Sequence, residues 1–405
     1  MVGGSHLRRF LVNVYGYSFF NCLVFMYPIY MLFFSNNGIS DAGKSVLLIL
    51  WSLSVVAVQV PVLSLATKFS RKHIMIAAAL LKAATFIVWI IWPTFWGFAF
   101  GFFLWGINWA AYNVVWEAMI YDELAARRHR AIYAKVVGRK TALENAALIV
   151  ACSGSLMIPL GYTFIAAVST IAMIISVAFL IMINTKAAPA KRRINAIKQL
   201  RVTGAVLRRA PYVFYLLVLC SLLYAFSQVD DYLALIGVEM GIRPEFVGAM
   251  FVMALICQTM GSAVADRFER VSDKALFAGV VFVGLILAIF GMKFSVVGLM
   301  LLALFYFISS IIQILVYSRF QHAIPGAARS AFLSAYSFLE QGTSIMSYAV
   351  FIVGVTLGGG YRLGVFLSGL VSVLIGLWAM AYIPRKKELT ERLASIRKAT
   401  AAALG

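Results

Sequence analysis

Apolar residues run through this chain in long blocks, and short polar clusters separate the blocks. Each block is about 18–25 residues long, enough for a helix rising 1.5 Å per residue to cross a bilayer core of about 30 Å. Lipid offers no hydrogen bonds, so a spanning segment must satisfy its own backbone, and a run of this kind does so as a helix. The pattern predicts twelve spans, at about 10–34, 46–66, 73–92, 95–118, 137–158, 161–183, 212–236, 245–264, 274–292, 295–318, 330–354 and 362–383.

One interruption is longer than the rest. Residues 184–211, NTKAAPAKRRINAIKQLRVTGAVLRRAP, are dense in Lys and Arg and bracketed by Pro189 and Pro211. Inside it Ile194, Ile197, Leu200 and Val202 alternate with Lys198, Arg201, Arg208 and Arg209. That suits a short amphipathic helix lying on a membrane surface. Six spans precede it and six follow. The expected organisation is an N-terminal six-helix bundle (1–184), a basic linker (185–211), a C-terminal six-helix bundle (212–384) and a basic tail (385–405).

Composition supports the lipid reading. The chain has 405 residues, 63% hydrophobic and 12% charged, whereas a soluble domain is about a quarter charged. The net charge of +20 invites a nucleic-acid partner, but its distribution argues against one. Placing the N-terminus on side one puts about 30 of the Lys and Arg residues there. The other side keeps Lys44, Arg243, Lys293 and Arg362. Side one is then the cytoplasm, with both termini in it, and the basic excess records topology and attraction to anionic lipid headgroups.

The start, MVGGSHLRRF, is basic, but the apolar stretch after it runs on through Asn13 and Asn21 without a small-residue cleavage site. It is read as a first span rather than a removable signal. Cys22, Cys152, Cys220 and Cys257 sit inside spans with no paired spacing, so neither a disulfide framework nor a metal site is expected. His6, His73, His129 and His322 lie in or beside cytoplasmic segments, which disfavours a buried imidazole relay. The chain contains no P-loop, no G-x-S-x-G and no H-E-x-x-H, so neither ATP-driven transport nor enzyme catalysis is expected, and no cofactor is implied.

The two halves share a motif. QTMGSAVADRFERVSDK (258–274) repeats, at an offset of 199 residues, features of QVPVLSLATKFSRKH (59–73). Gln59 falls on Gln258, Ala66 on Ala265, Lys68 on Arg267, Phe69 on Phe268 and Arg71 on Arg270. Internal duplication at half length is a mark of repeat-built transporters. The second copy resembles the signature loop of the major facilitator superfamily, Gly-x-x-x-Asp-Arg-x-Gly-Arg-Lys, with Asp266 and Arg267 in place and Gly261 one residue further upstream than the pattern has it. The first copy departs from it: Val62, Thr67 and Ser70 stand where Gly, Asp and Gly are expected, while Lys68, Arg71 and Lys72 are kept. WEAMIYDEL followed by HRAIYAKVVGRK (116–140) and IPGAARSAFLS (324–334) are similar to loops of a bacterial drug and metabolite permease branch. The resemblance spans nearly the whole chain. It implies an all-α membrane protein with twelve helices in two six-helix bundles, alternating access about a central cavity, and a monomer. It also implies a cytoplasmic gate drawn from Asp266, Arg267, Arg270, Glu117, Asp122, Arg139 and Arg329.

Ionisable groups inside spans cost roughly 2.5–3.5 kcal/mol at mid-helix, so each asks for a partner or a task. Glu340 lies about eleven residues into its span, next to Gln341. Asp230 and Asp231 sit toward the outer end of the seventh span, about 100° apart on a helix. These three are the proton-coupling candidates. Glu117, Asp122, Arg139 and Glu144 suit an inter-helix ion-pair network. Lys82 suits snorkelling or pairing with an acid such as Glu117.

Trp105, Asn108, Trp109, Tyr112 and Trp116 follow helical spacing, a stripe that with Asn113 suits an organic-ligand pocket or plain packing. The first span adds Tyr17, Asn21 and Tyr27; the tenth adds Tyr306, Ser310 and Gln313; Gln341 completes the cavity candidates. The expected function is proton-coupled export of a small amphipathic drug or metabolite, with protons and lipid as the other partners. Uptake of a nutrient or siderophore-type chelate, a non-transporting sensor, and a flippase or intramembrane enzyme are the alternatives.

Overall fold

The computed structural model describes residues 2–185, 211–323 and 329–382. Residues 186–210 of the predicted linker and the tail at 385–405 lie outside the described residues. Among the described residues every regular element is helical, and eleven helices are long and apolar enough to span a membrane. They match the second to twelfth predicted spans. The first span is split into α1 (Val2–Cys22) and α2 (Tyr30–Asn36).

The rest of the first half comprises α3 (Asp41–Lys68), α4 (Arg71–Ile91), α5 (Phe95–Ala111), α6 (Glu117–Ala126), α7 (Tyr133–Ala151) and α8 (Tyr162–Met182). A π-helical segment, Tyr112–Trp116, joins α5 to α6, and a 3-10 segment, Cys152–Leu160, extends α7. The second half comprises α9 (Pro211–Ser227), α10 (Leu233–Glu239), α11 (Val247–Val264), α12 (Asp273–Met292), α13 (Val296–Ala323), α14 (Arg329–Thr356) and α15 (Gly360–Tyr382). The seventh span is interrupted as well, by 3-10 residues Gln228–Tyr232 between α9 and α10. Side-chain caps mark several starts: Ser40, Thr94 and Ser272 accept from the backbone N–H groups of Gly43, Gly97 and Ala275, satisfying donors that a helix leaves open at its N-terminus.

The chain divides into two compact units, Met1–Ile194 with Leu233–Val252, and Asn195–Tyr232 with Met253–Gly405. Residues 233–252 join the first unit through close backbone approach. The Ser155 hydroxyl donates to the Glu245 carbonyl at 2.8 Å and accepts from the Gly248 N–H at 3.1 Å. Aromatic packing fills the first unit, with Trp89 at the centre of Phe34, Phe86, Phe98, Phe102 and Trp105. The second unit is built differently. Along α12 and α15, Gly284, Gly291, Gly369 and Gly376 each abut backbone of the facing helix, a small-residue seam that lets two lipid-embedded helices approach closely. Gly261 does the same for α11 against the carbonyl of Phe307 on α13.

Candidate functional site

The break in the first span has a local cause. Pro28 lacks an N–H and disfavours helix in the residue before it, and the helix stops at Cys22, with turns over residues 25–29. A helix ending inside the membrane leaves its last carbonyls open. Lys82, 6% exposed on α4, answers this: its ammonium donates to the Asn21 carbonyl at 2.6 Å and lies 5.5 Å from the Trp105 ring centroid. A cation at the negative end of a helix and over an indole face is favourably placed. The other side of the break is held by Ser169, whose hydroxyl accepts from the Met26 N–H at 3.1 Å. Lys82 neither snorkels nor pairs with Glu117. It closes a broken helix.

The predicted aromatic stripe does not present one open face. Trp105 and Trp116 are buried; Trp116 packs edge-on against Tyr17 at 4.5 Å and donates to Ser18 at 3.3 Å. Trp109 is half-buried against Trp51, and Asn113 is exposed. The π segment changes the phase of the helix, so positions on either side of it no longer share the face that regular α spacing assigns. Tyr112, by contrast, reaches a polar cluster. Its hydroxyl donates to the Glu144 carboxylate and lies 3.4 Å from the Lys140 ammonium. Lys140, 3% exposed, also pairs with Glu144 at 3.2 Å and Glu117 at 3.6 Å. Tyr112 and Glu117 are five residues apart, about 140° out of phase on a regular α-helix. The i→i+5 geometry of a π turn brings them to one side, which lets both address Lys140.

Sequence reasoning placed Arg139 in this network; the structure turns Arg139 outward and uses its neighbour Lys140. Asn21 and Asn108 are buried in the same region. Among the described residues, Asn21 Oδ1 makes no hydrogen bond, and the Tyr17 hydroxyl and Asn108 Nδ2 make no well-formed one, although the two side chains lie within hydrogen-bonding reach of each other.

Two ion pairs tie loops to helix ends, one in each unit. In the first, Arg71 pairs with Asp122 and donates to the Ala118 carbonyl at 3.0 Å. In the second, Asp273 pairs with Arg319, which also donates to the Val271 carbonyl. The acid and base have exchanged sides. Asp122 is one of the predicted gate acids, whereas Asp273 and Arg319 were not anticipated; Arg319 was legible as the first cation past the tenth span. Asp266, Arg267 and Arg270 are exposed, and the side chain of Arg329 lies outside the described residues. Reversing either Arg71 (Arg71→Asp) or Asp122 (Asp122→Arg) is expected to lower the thermal unfolding midpoint in detergent. The double reversal should regain most of the loss, with a coupling of about 1 kcal/mol for this partly exposed pair. A double variant no more stable than either single one would contradict the assignment.

In the second unit Asp230 and Asp231 sit half-buried on the 3-10 turn. The Tyr348 hydroxyl donates to Asp231 Oδ2 at 2.9 Å, and Tyr232 stacks on Phe351 at 3.8 Å. Tyr306 lies in electrostatic range of both acids, and its buried hydroxyl has no hydrogen bond among the described residues. Glu340 is half-buried on α14, its carboxyl bonded to Tyr224. Thr343 donates to the Ser221 carbonyl at 2.9 Å, fastening this stretch to α9. Gln341 is buried with its Oε1 unpartnered among the described residues. Gln313 lines a small apolar cavity with Leu222, Phe226, Phe305 and Ser309. No cluster of metal-ligating residues occurs among the described residues.

Two helical membrane units, each opening with an interrupted span and carrying buried polar groups, define a membrane transporter. Residues 10–348 match the sequence model of the Major Facilitator Superfamily, and the chain belongs to that superfamily. Its fold is similar to that of the nucleoside transporter NupG, at 14% identity and a TM-score of 0.73, covering 94% of this chain and 99% of that one. It is also similar to a D-xylose-proton symporter, at 12% identity and a TM-score of 0.70, covering 93% and 97%. The POT family transporter PepTSo is a third, at 10% identity and a TM-score of 0.71, covering 96% and 98%. No curated protein matches the chain.

Proposed function

We propose that this transporter works by alternating access and couples proton entry to export of a small amphipathic organic compound. It would reside as a monomer in a bacterial plasma membrane with both termini in the cytoplasm, the orientation its basic loops favour. The observation that carries the coupling is the pairing of membrane-embedded acids with tyrosine hydroxyls: Asp231 with Tyr348 and Glu340 with Tyr224. A hydroxyl donates to a carboxylate and accepts from a carboxylic acid, so each pair is satisfied in both protonation states. An acid of this kind loads a proton on one side and releases it on the other without leaving a buried polar group unpaired. The likeness to a proton symporter, at 12% identity, supports the fold of such a machine and nothing finer.

The test uses everted vesicles energised to an acid interior and loaded with a pH-sensitive dye. Adding a transported compound from a panel of cationic, neutral and anionic amphipaths should release protons in wild type. Glu340→Gln or Asp231→Asn should abolish that release while compound binding persists. Proton release that survives both substitutions would remove these acids from the mechanism.

A further inference from the structure

The middle of the first unit holds two buried ammonium groups, Lys82 and Lys140, at 6% and 3% exposure. Only one carboxylate, Glu144, is enclosed with them; Glu117 is 53% exposed and therefore screened by solvent. Lys82 is satisfied by a backbone carbonyl at a helix C-terminus, whose partial negative charge offsets only part of its own. Cys22, at the broken end of α1, lies in electrostatic range of Lys82, Lys140 and Glu144, so these groups form one cluster with an excess of positive charge. Around it stand Asn21 Oδ1, without a hydrogen bond among the described residues, and the Tyr17 hydroxyl and Asn108 Nδ2, which have no well-formed one beyond each other's reach, all on side chains at least nine-tenths buried. Buried polar atoms left open in this way are unusual, and they ask for a partner beyond the described side chains.

We propose that the first unit receives the acidic group of the cargo at Lys140, on the contacts that the Glu144 carboxylate makes there, so that the transported compounds are organic carboxylates on an apolar body. The Glu144 carboxylate, held between the Lys140 ammonium and the Tyr112 hydroxyl, displays the contacts a cargo carboxylate would take. When cargo displaces it from Lys140, Glu144 keeps the Tyr112 hydroxyl. Tyr17 and Asn108 then supply donors, and Asn21 an acceptor, to the polar edge of the cargo. An amine cargo would have to displace Lys140 instead and would meet the uncompensated charge of Lys82. This assignment names the cargo class for the transport reading above and rests on it.

Binding to the full-length protein in nanodiscs, followed by isothermal titration calorimetry, separates the alternatives. The probes are 1-naphthylacetic acid, its uncharged amide and 1-naphthylethylamine. The acid is expected to bind at least about tenfold more tightly than the amide, the worth of one charge-assisted hydrogen bond, with the amine weakest. Lys140→Gln should erase the acid's advantage over the amide; Lys140→Arg should keep most of it; Glu144→Gln should tighten acid binding by removing its competitor. An acid that binds no better than the amide, a preference for the amine, or an acid-to-amide ratio untouched by Lys140→Gln overturns the proposal. Tight acid binding without proton-linked flux would overturn the transport coupling and leave the acid site standing.

Discussion

Leucine in place of Gly369 is expected to prevent recovery of a folded second unit. A Cβ at this position would overlap the Ala288 backbone nitrogen and lie 2.7 Å from both the Ala288 Cα and the Gly284 carbonyl oxygen. Across the seam, one on Gly284 would sit 2.7 Å from the Val373 nitrogen. Side chains can rotate away from an intruding methyl group, but two facing backbones can only separate. Overpacking typically costs 1–3 kcal/mol, and a branched side chain wedged between backbones should exceed about 3 kcal/mol. Loss of the monodisperse peak on size-exclusion chromatography, or a large drop in melting temperature, would report it. Gly342→Leu is the control, because nothing lies within 4 Å of its added Cβ; its stability should change by less than about 0.5 kcal/mol. A Gly369 variant that melts like this control would show that the seam is looser than described.

A glutamate at position 82 should be almost as damaging. Lys82→Glu sets an anion against the Asn21 carbonyl at the negative end of α1, with an indole face beneath it. An uncompensated buried charge costs about 3–5 kcal/mol, and the helix dipole adds to it. Lys82→Met is predicted to be mild by comparison. It removes an ammonium whose burial costs roughly 2.5–3.5 kcal/mol while leaving one carbonyl unpartnered at about 1–3 kcal/mol, and the two nearly offset. Thermal melts of the two variants in the same detergent check the ordering. If methionine were the worse substitution, the capping role of Lys82 would be wrong.

Much of the fold was legible because lipid makes span length and apolar runs nearly sufficient. The charged hairpins at 59–73 and 258–274 then carried the superfamily resemblance. What the pattern could not carry was the interior of each span. Pro28 was visible, but the run 10–34 reads as one continuous helix unless the cost of a proline at that position is weighed against its neighbours. The role of Lys82 was hidden for the same reason: its partner is a backbone carbonyl exposed by that break, and carbonyls have no sequence signature. The stripe from Trp105 to Trp116 assumed an unchanging 3.6-residue period, and the π segment at Tyr112–Trp116 violates it. Adjacent residues Arg139 and Lys140 differ by about 100° around a helix, a distinction that composition alone could not resolve. Among the coupling candidates, tyrosines 224 and 348 went unremarked, since one aromatic hydroxyl among 18 tyrosines gives no signal until its neighbour is known.

The π segment also bears on how sites of this kind arise. A π turn holds one residue more than the α-helix it interrupts, so it behaves as a one-residue insertion absorbed without breaking the span. Winding the same residues as a regular α-helix would alter none of the side chains around Lys140, yet it would rotate Glu117 away from it and carry Asp122 out of line with Arg71. An ion-pair network can therefore be dismantled, or acquired, by a change in helix winding alone. Two chains of this fold could share every polar residue type near Lys140 and still differ in what that lysine touches.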